Sequence, residues 1–185
     1  MTSLRLAYRA GVTSAITPPA SSGFLSGLSV HFSTGARNKL ENGAILQDVT
    51  ALHVAIHPGG IVSVSTQIAA LRRLLLVSHT GTFADTYSRV QEVRSLHFIG
   101  KQKIEQRFIC QGKIPLVIDA HSADIIASIV VLKKEVERVS GKKLKFTVTG
   151  ATEAHLLARE LAAASIGVIL NPPRPFPYEW ESTRM

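Results

Sequence analysis

Residues 115–124 read PLVIDAHSAD. The run Ile114–Asp119 has the composition of a buried strand, and it ends in Asp119, Ala120, His121 and Ser122. Apolar residues at helical spacing follow at once. Ile125, Ile129, Leu132, Val136 and Val139 recur every three or four positions, with Lys133, Lys134, Glu135 and Glu137 elsewhere on the circumference. The pattern predicts a strand, then a helix capped by Ser122 and stopped by Gly141. A histidine therefore stands where a strand meets a helix.

Downstream, Leu144, Phe146 and Val148 alternate with Lys145, Thr147 and Thr149, which is the period of a strand. A helix is predicted over Thr152–Ala164, and Gly167 leads into a strand at Val168–Leu170. Upstream, "LRLAYRA" reads as a short helix turning at Gly11 into the strand Val12–Thr17, which Pro18–Pro19 stops. "TALHVAI" at 50–56 is a strand with an "HPGG" turn behind it. Ser65 or Thr66 can cap a helix through 67–77, with Leu71, Leu74 and Leu75 on one face. Residues 20–48, rich in Gly and Ser, read as a long surface loop. Residues 83–109 carry helical spacing interrupted by Gly100, and the proline-rich segment 171–185 fits neither a helix nor a central strand. Strand alternating with helix implies a parallel α/β architecture.

At 185 residues the chain is long enough for one domain without disulfide or metal staples. Cys110 is the only cysteine, which excludes a disulfide framework and a clustered thiolate zinc site and fits a reducing, intracellular setting. Apolar stretches fall far short of the ~20 residues that a membrane span requires, so no membrane association is expected. A net charge of +8 raises nucleic acid as a partner. The basic residues are scattered and no aromatic side chains interleave with them, so a solvated face is the better reading. The first acidic residue is Glu41, and the Ser/Ala/Gly-rich stretch before it has the composition of a mitochondrial transit peptide. Cytoplasmic is the expected location, with mitochondrial as the alternative.

In a parallel α/β sheet, ligands collect beyond the carboxyl ends of the strands. Those positions are 18–22, 57–60, 119–122, 149–153 and 171–175, and two of the five carry histidine. His121 can be a metal ligand, a general base or a polar residue bonded to the start of its helix. His53, inside an apolar run, reads as a satisfied core histidine. His57 reads as an exposed turn residue, and packing or capping explains His155 as well as chemistry does. Asp119 and Asp124 can make a carboxylate pair, although the helix dipole also accounts for Asp124. The chain has no H-x-H, H-E-x-x-H, G-x-G-x-x-G or G-x-S-x-G motif.

"IPLVIDAHSADIIASIVVLKKE" followed by "FTVTGATEAHLLARELAAASIGVILNPPRPFP" resembles the amidohydrolase superfamily, in particular its imidazolonepropionase-like branch and the large fungal amidohydrolase-related proteins. "AYRAGVTSAIT…SSGFLSG" is similar to that branch's early strand and loop, and the resemblance covers most of the chain except about 77–111. It implies a (β/α)₈ TIM-like barrel. At its mouth a divalent metal, zinc, activates water against a cyclic amide or related C–N bond. By this resemblance His121 is a metal ligand, His53 falls near a position where some relatives carry a carboxylated lysine, and His155 has a supportive role. The first-strand H-x-H pair and the aspartate of the last strand have no counterpart, and Gly150 stands where a sixth-strand histidine is expected. A complete barrel takes about 250 residues. The expected fold is thus a partial barrel of parallel strands lacking the first and last. The expected function is a metal-dependent hydrolase of C–N bonds other than peptide bonds, with a small-molecule substrate. The alternative is an inactive partial barrel that buries its open edge in a homo-oligomer or against another chain.

Overall fold

Alternation at 52–55, 116–120 and 146–150 puts Leu52, Val54, Leu116, Ile118, Phe146 and Val148 on one side of a sheet, all of them buried. The computed structural model describes residues 2–19, 23–59, 62–80 and 114–171. Its elements in chain order are α1 (Thr2–Arg9), β1 (Ser14–Thr17), β2 (Leu25–Leu28), β3 (Val30–Ser33), β4 (Ile45–Gln47), β5 (Leu52–Ala55) and α2 (Val64–Thr80). β6 (Leu116–Ala120), α3 (Ala123–Ser140), β7 (Phe146–Gly150), a 3₁₀ turn (Ala154–Leu157), α4 (Ala158–Ala163) and β8 (Ile166–Leu170) follow.

The main sheet has the order β2-β5-β6-β7-β8. β5 through β8 are parallel, with Leu52 opposite Leu116, Leu116 opposite Phe146 and Phe146 opposite Ile166. Helices α2 and α3 cover the apolar side, where Leu71, Leu75, Ile126, Ile129 and Val136 meet the strand residues in one continuous core. Burying an aliphatic side chain of this size contributes about 1.5–3 kcal/mol, so this layer holds the sheet in place. Gly141 ends α3 in the left-handed conformation (φ 65°), and its N–H donates to the Glu137 carbonyl.

Several sequence expectations are corrected. The stretch 20–48 is not a loop throughout, because it holds β2, β3 and β4. Val30 and Phe32 lie on β3, which pairs antiparallel with β1 and β4, and buried Ser29 ties the β2–β3 step to Ala51. The strands are not all parallel. β2 runs antiparallel to β5, and β1 belongs to the separate β1-β3-β4 sheet. Short strands joined by near-neighbour connections pair antiparallel, whereas parallel pairing needs a long crossover.

The segment Thr152–Ala164 is not one helix. It breaks at Leu157 (φ −119°, ψ 23°) into the 3₁₀ turn and α4. At the start of α2 the capping side chain is Ser63, whose Oγ accepts the Thr66 N–H and meets both the Ser65 and Thr66 hydroxyls. Lys133 is buried, not solvated. Its ammonium pairs with Glu137 at 3.1 Å and donates to the Ala164 carbonyl, tying α3 to the turn before β8. Val139 is exposed. The expectations for 83–109 and for 172–185 lie outside the described residues. Among the described residues no helix is long and apolar enough to cross a membrane.

Candidate functional site

The face of the main sheet opposite the helices carries His53 and Ala55 of β5, Val117 and Asp119 of β6, and Thr147 and Thr149 of β7. Ala55, Asp119 and Thr149 form one row across the three strands, and His53, Val117 and Thr147 form the row before it. Rows on one face are separated by two residues, about 6–7 Å along the strand. Asp119 thus lies at the carboxyl end of the sheet and His53 one row deeper.

At that end three polar side chains meet. The Ile56 N–H donates to the Asp119 carbonyl, which brings His57 alongside Asp119. His57 Nε2 is 3.4 Å from Asp119 Oδ2, and His121 Nε2 is 3.8 Å from Asp119 Oδ1. The two imidazoles lie 6.0 Å apart, centroid to centroid, tilted by 30°. The carboxylate therefore sits between two histidines, one from each of two adjacent parallel strands. Its hydrogen bond and charge raise the His57 pKa above the ordinary histidine value, against an opposing contribution from partial burial.

Each member has its own support. Buried Gln67 of α2 accepts the His57 N–H through Oε1 and donates through Nε2 to the carbonyls of His57 and Val62, which pins the β5–α2 turn. His121 Nδ1 shares a 2.7 Å hydrogen bond with Thr152 Oγ1, leaving Nε2 toward Asp119. Ser122 begins α3 in an extended conformation but its hydroxyl makes no cap. The cap comes instead from Glu153, whose Oε2 accepts the Ala123 N–H at 2.8 Å while its own N–H donates to the His121 carbonyl. The β7 exit turns through two successive left-handed residues, Gly150 (φ 81°) and Ala151 (φ 52°). A Cβ at Gly150 would lie 2.8 Å from His121 Cε1 and 2.9 Å from Asp119 Oδ1. Only glycine leaves this room.

Of the residues singled out in the sequence, His121 joins the cluster. His53 does not touch it. Among the described residues its buried Nε2 has no hydrogen-bond partner, and burial lowers its pKa. His155 is exposed on the 3₁₀ turn, and among the described residues no hydrogen bond or ion pair joins it to the cluster. Asp119 pairs with histidines instead of Asp124, which is exposed in the first turn of α3. His57, Thr152, Glu153 and Gln67 were not assigned roles from sequence. The signal for His57 was its position just past a strand end.

Among the described residues no three or more His, Cys, Asp or Glu are grouped so as to hold a metal ion. A catalytic zinc normally keeps three protein ligands. The nearest donors here face one another in ion pairs, and His53 lies a row away, so the described residues do not by themselves fit the zinc centre that the resemblance implies.

The fold and site define a mixed α/β protein with a histidine–carboxylate cluster at the carboxyl end of its parallel strands. No family model matches the chain. Amidohydrolase tasK of Hapsidospora irregularis is 28% identical to it over 207 aligned residues, covering 98% of this chain and 21% of that protein. The crystal structure of an amidohydrolase from Thermotoga maritima MSB8 matches with a TM-score of 0.67 at 20% identity, covering 94% of this chain and 45% of that one. The chain thus spans about a fifth of the length of the one relative and under half of the other. The likeness to the Thermotoga protein concerns the fold. The chain is therefore similar in sequence to one amidohydrolase and in fold to another.

Proposed function

We propose that the chain is part of a barrel hydrolase that cleaves carbon–nitrogen bonds other than peptide bonds in small cyclic amides. The observation that carries this reading is the meeting of His57, Asp119 and His121 at the ends of two adjacent parallel strands. The similarity to an amidohydrolase along nearly the whole chain supports it. The parallel run β5–β8, with helices on one face and polar residues on the other, supports the partial barrel.

In this reading water adds to the substrate carbonyl carbon while one of its protons passes to His121 Nε2. The bond from that carbon to nitrogen then breaks, and the departing nitrogen takes a proton from His57. Thr152 fixes the His121 ring, and Asp119 compensates the positive charge as it moves between the two imidazoles. Gly150 keeps the space between them clear. The metal dependence implied by the resemblance calls for ligands beyond the described residues, and of the expected ligands His121 is the one at the strand ends.

The test is hydrolysis of a panel of five- and six-membered cyclic amides and imides by the purified chain, with and without added zinc, monitored by ring-opening absorbance. Turnover of at least one ring type is expected, reduced by about 100-fold or more in His121→Ala. Absence of turnover across the panel, or full activity in the variant, overturns the reading.

A further inference from the structure

Away from the histidine cluster the molecule carries a groove between α1 and the β1-β3-β4 sheet. The groove is open on one side and has a volume of about 740 Å³, within the range of small-molecule sites. Its lining divides by chemistry. Leu4 of α1, Phe32 of β3 and Ile45 of β4 supply apolar surface, and Arg5, Arg37 and Lys39 supply three cations. Among the described residues Asp48 is the one carboxylate in the lining. Glu41, the nearest acidic residue in sequence, spends its carboxylate on the Arg37 backbone N–H at 2.7 Å. Among the described residues no ion pair engages the side chains of Arg5, Arg37 or Lys39.

The walls are held in place by specific contacts. Thr34 N–H donates to the Thr13 carbonyl and its hydroxyl to the Val12 carbonyl, which ties the end of β3 to the chain leaving α1. The Tyr8 ring lies against Gly35 so closely that a Cβ there would be 2.9 Å from Cε2. Helix α1 thus meets the small sheet at a position where a side chain would have to displace the Tyr8 ring.

We propose that this groove binds a small amphipathic carboxylate, its hydrocarbon part on Phe32 and Ile45 and its anionic head among Arg5, Arg37 and Lys39. An apolar floor gains from covering by hydrocarbon, and a cluster of cations without partners gains from an anion. A neutral apolar molecule would use only the first feature and inorganic phosphate only the second. Occupancy by an amphipathic anion uses both.

Isothermal titration of the full chain with octanoate, octanamide and inorganic phosphate tests this. Octanoate is expected to bind one per chain, at least about tenfold more tightly than octanamide and phosphate, with affinity falling as salt rises. Arg5→Gln/Arg37→Gln/Lys39→Gln, three exposed positions, should bring octanoate down to the octanamide level with an unchanged melting temperature. Gly35→Ala should weaken octanoate and octanamide alike by displacing Tyr8. Equal affinity for octanoate and octanamide, phosphate binding as tightly as octanoate, or octanoate binding that survives the triple substitution would each overturn the proposal.

Discussion

Gly150 and His121 occupy one space: the ring of His121 lies where any side chain at position 150 would begin. The strand that follows β6 contributes no functional group at its end, and the room it gives up is taken by an imidazole from the neighbouring strand. The left-handed backbone at Gly150 adds a second reason for glycine.

Gly150→Ala is therefore expected to lower stability by about 1–3 kcal/mol and to displace His121 from Asp119. Chemical denaturation reads the first effect and the His121 imidazole NMR shifts read the second. A variant as stable as the parent, with unmoved His121 resonances, would contradict the close packing.

Asp119→Asn should lower the pKa of His57, because the hydrogen bond and charge that raise it are weakened or lost. Since the folded pKa of His57 lies above its unfolded value, the stabilisation from this pair is fully present below the unfolded value and is lost as pH rises through the folded one. The stability gap between parent and variant should thus be widest on the acid side, near pH 5–6. It should shrink toward pH 8. Urea melts across that range, with histidine titrations by NMR, measure both.

His53 carries the opposite sign. Burial lowers its pKa, so protonation is easier in the unfolded chain and stability is lost as pH falls below the unfolded value. His53→Leu should remove this acid-side penalty together with the partnerless buried Nε2. The expected outcome is a variant that gains on the parent steadily as pH drops from 7 to 5. A constant difference across that range would place the ring in a polar setting instead.

Thr152→Val deletes the hydroxyl that holds His121 Nδ1 while keeping a similar shape. The loss of about 1 kcal/mol typical of one hydrogen bond is expected in stability. If Thr152 positions the ring for proton transfer, kcat falls while KM stays near the parent value, and Thr152→Ser restores it. Equal changes in both parameters would point to a structural role alone.

Glu153→Gln keeps an acceptor for the Ala123 N–H but removes the charge at the start of α3, and Glu153→Ala removes both. Losses of a few tenths and of about 1–2 kcal/mol are expected respectively. Thermal melts of the two variants distinguish charge from cap.

Much of the second half of the fold was legible from the chain itself. The alternation in 144–149, the helical spacing from Ile125 to Val136 and the stop at Gly141 are local patterns, and local patterns report which face of an element is buried. His121 could be picked out for the same reason, since strand ends in a parallel sheet are where ligands gather. Of the small antiparallel sheet only β1 was legible, because β3 and β4 are three or four residues long and pair by contacts that no periodicity announces.

The partners of His121 belong to tertiary structure alone. Neighbouring parallel strands bring His57, Asp119 and Thr152 together from turns as far as 95 positions apart, as the residue numbers show, through register set by hydrogen bonds between backbones. Glu153 replaces Ser122 as the cap of α3, and Lys133 turns inward to a carbonyl beyond α4. From β5 onward, sequence determined most of the strands and helices and which faces they would bury, because those depend on neighbours along the chain. Which polar groups face one another depended on how the strands line up across the sheet, and only the folded chain decides that.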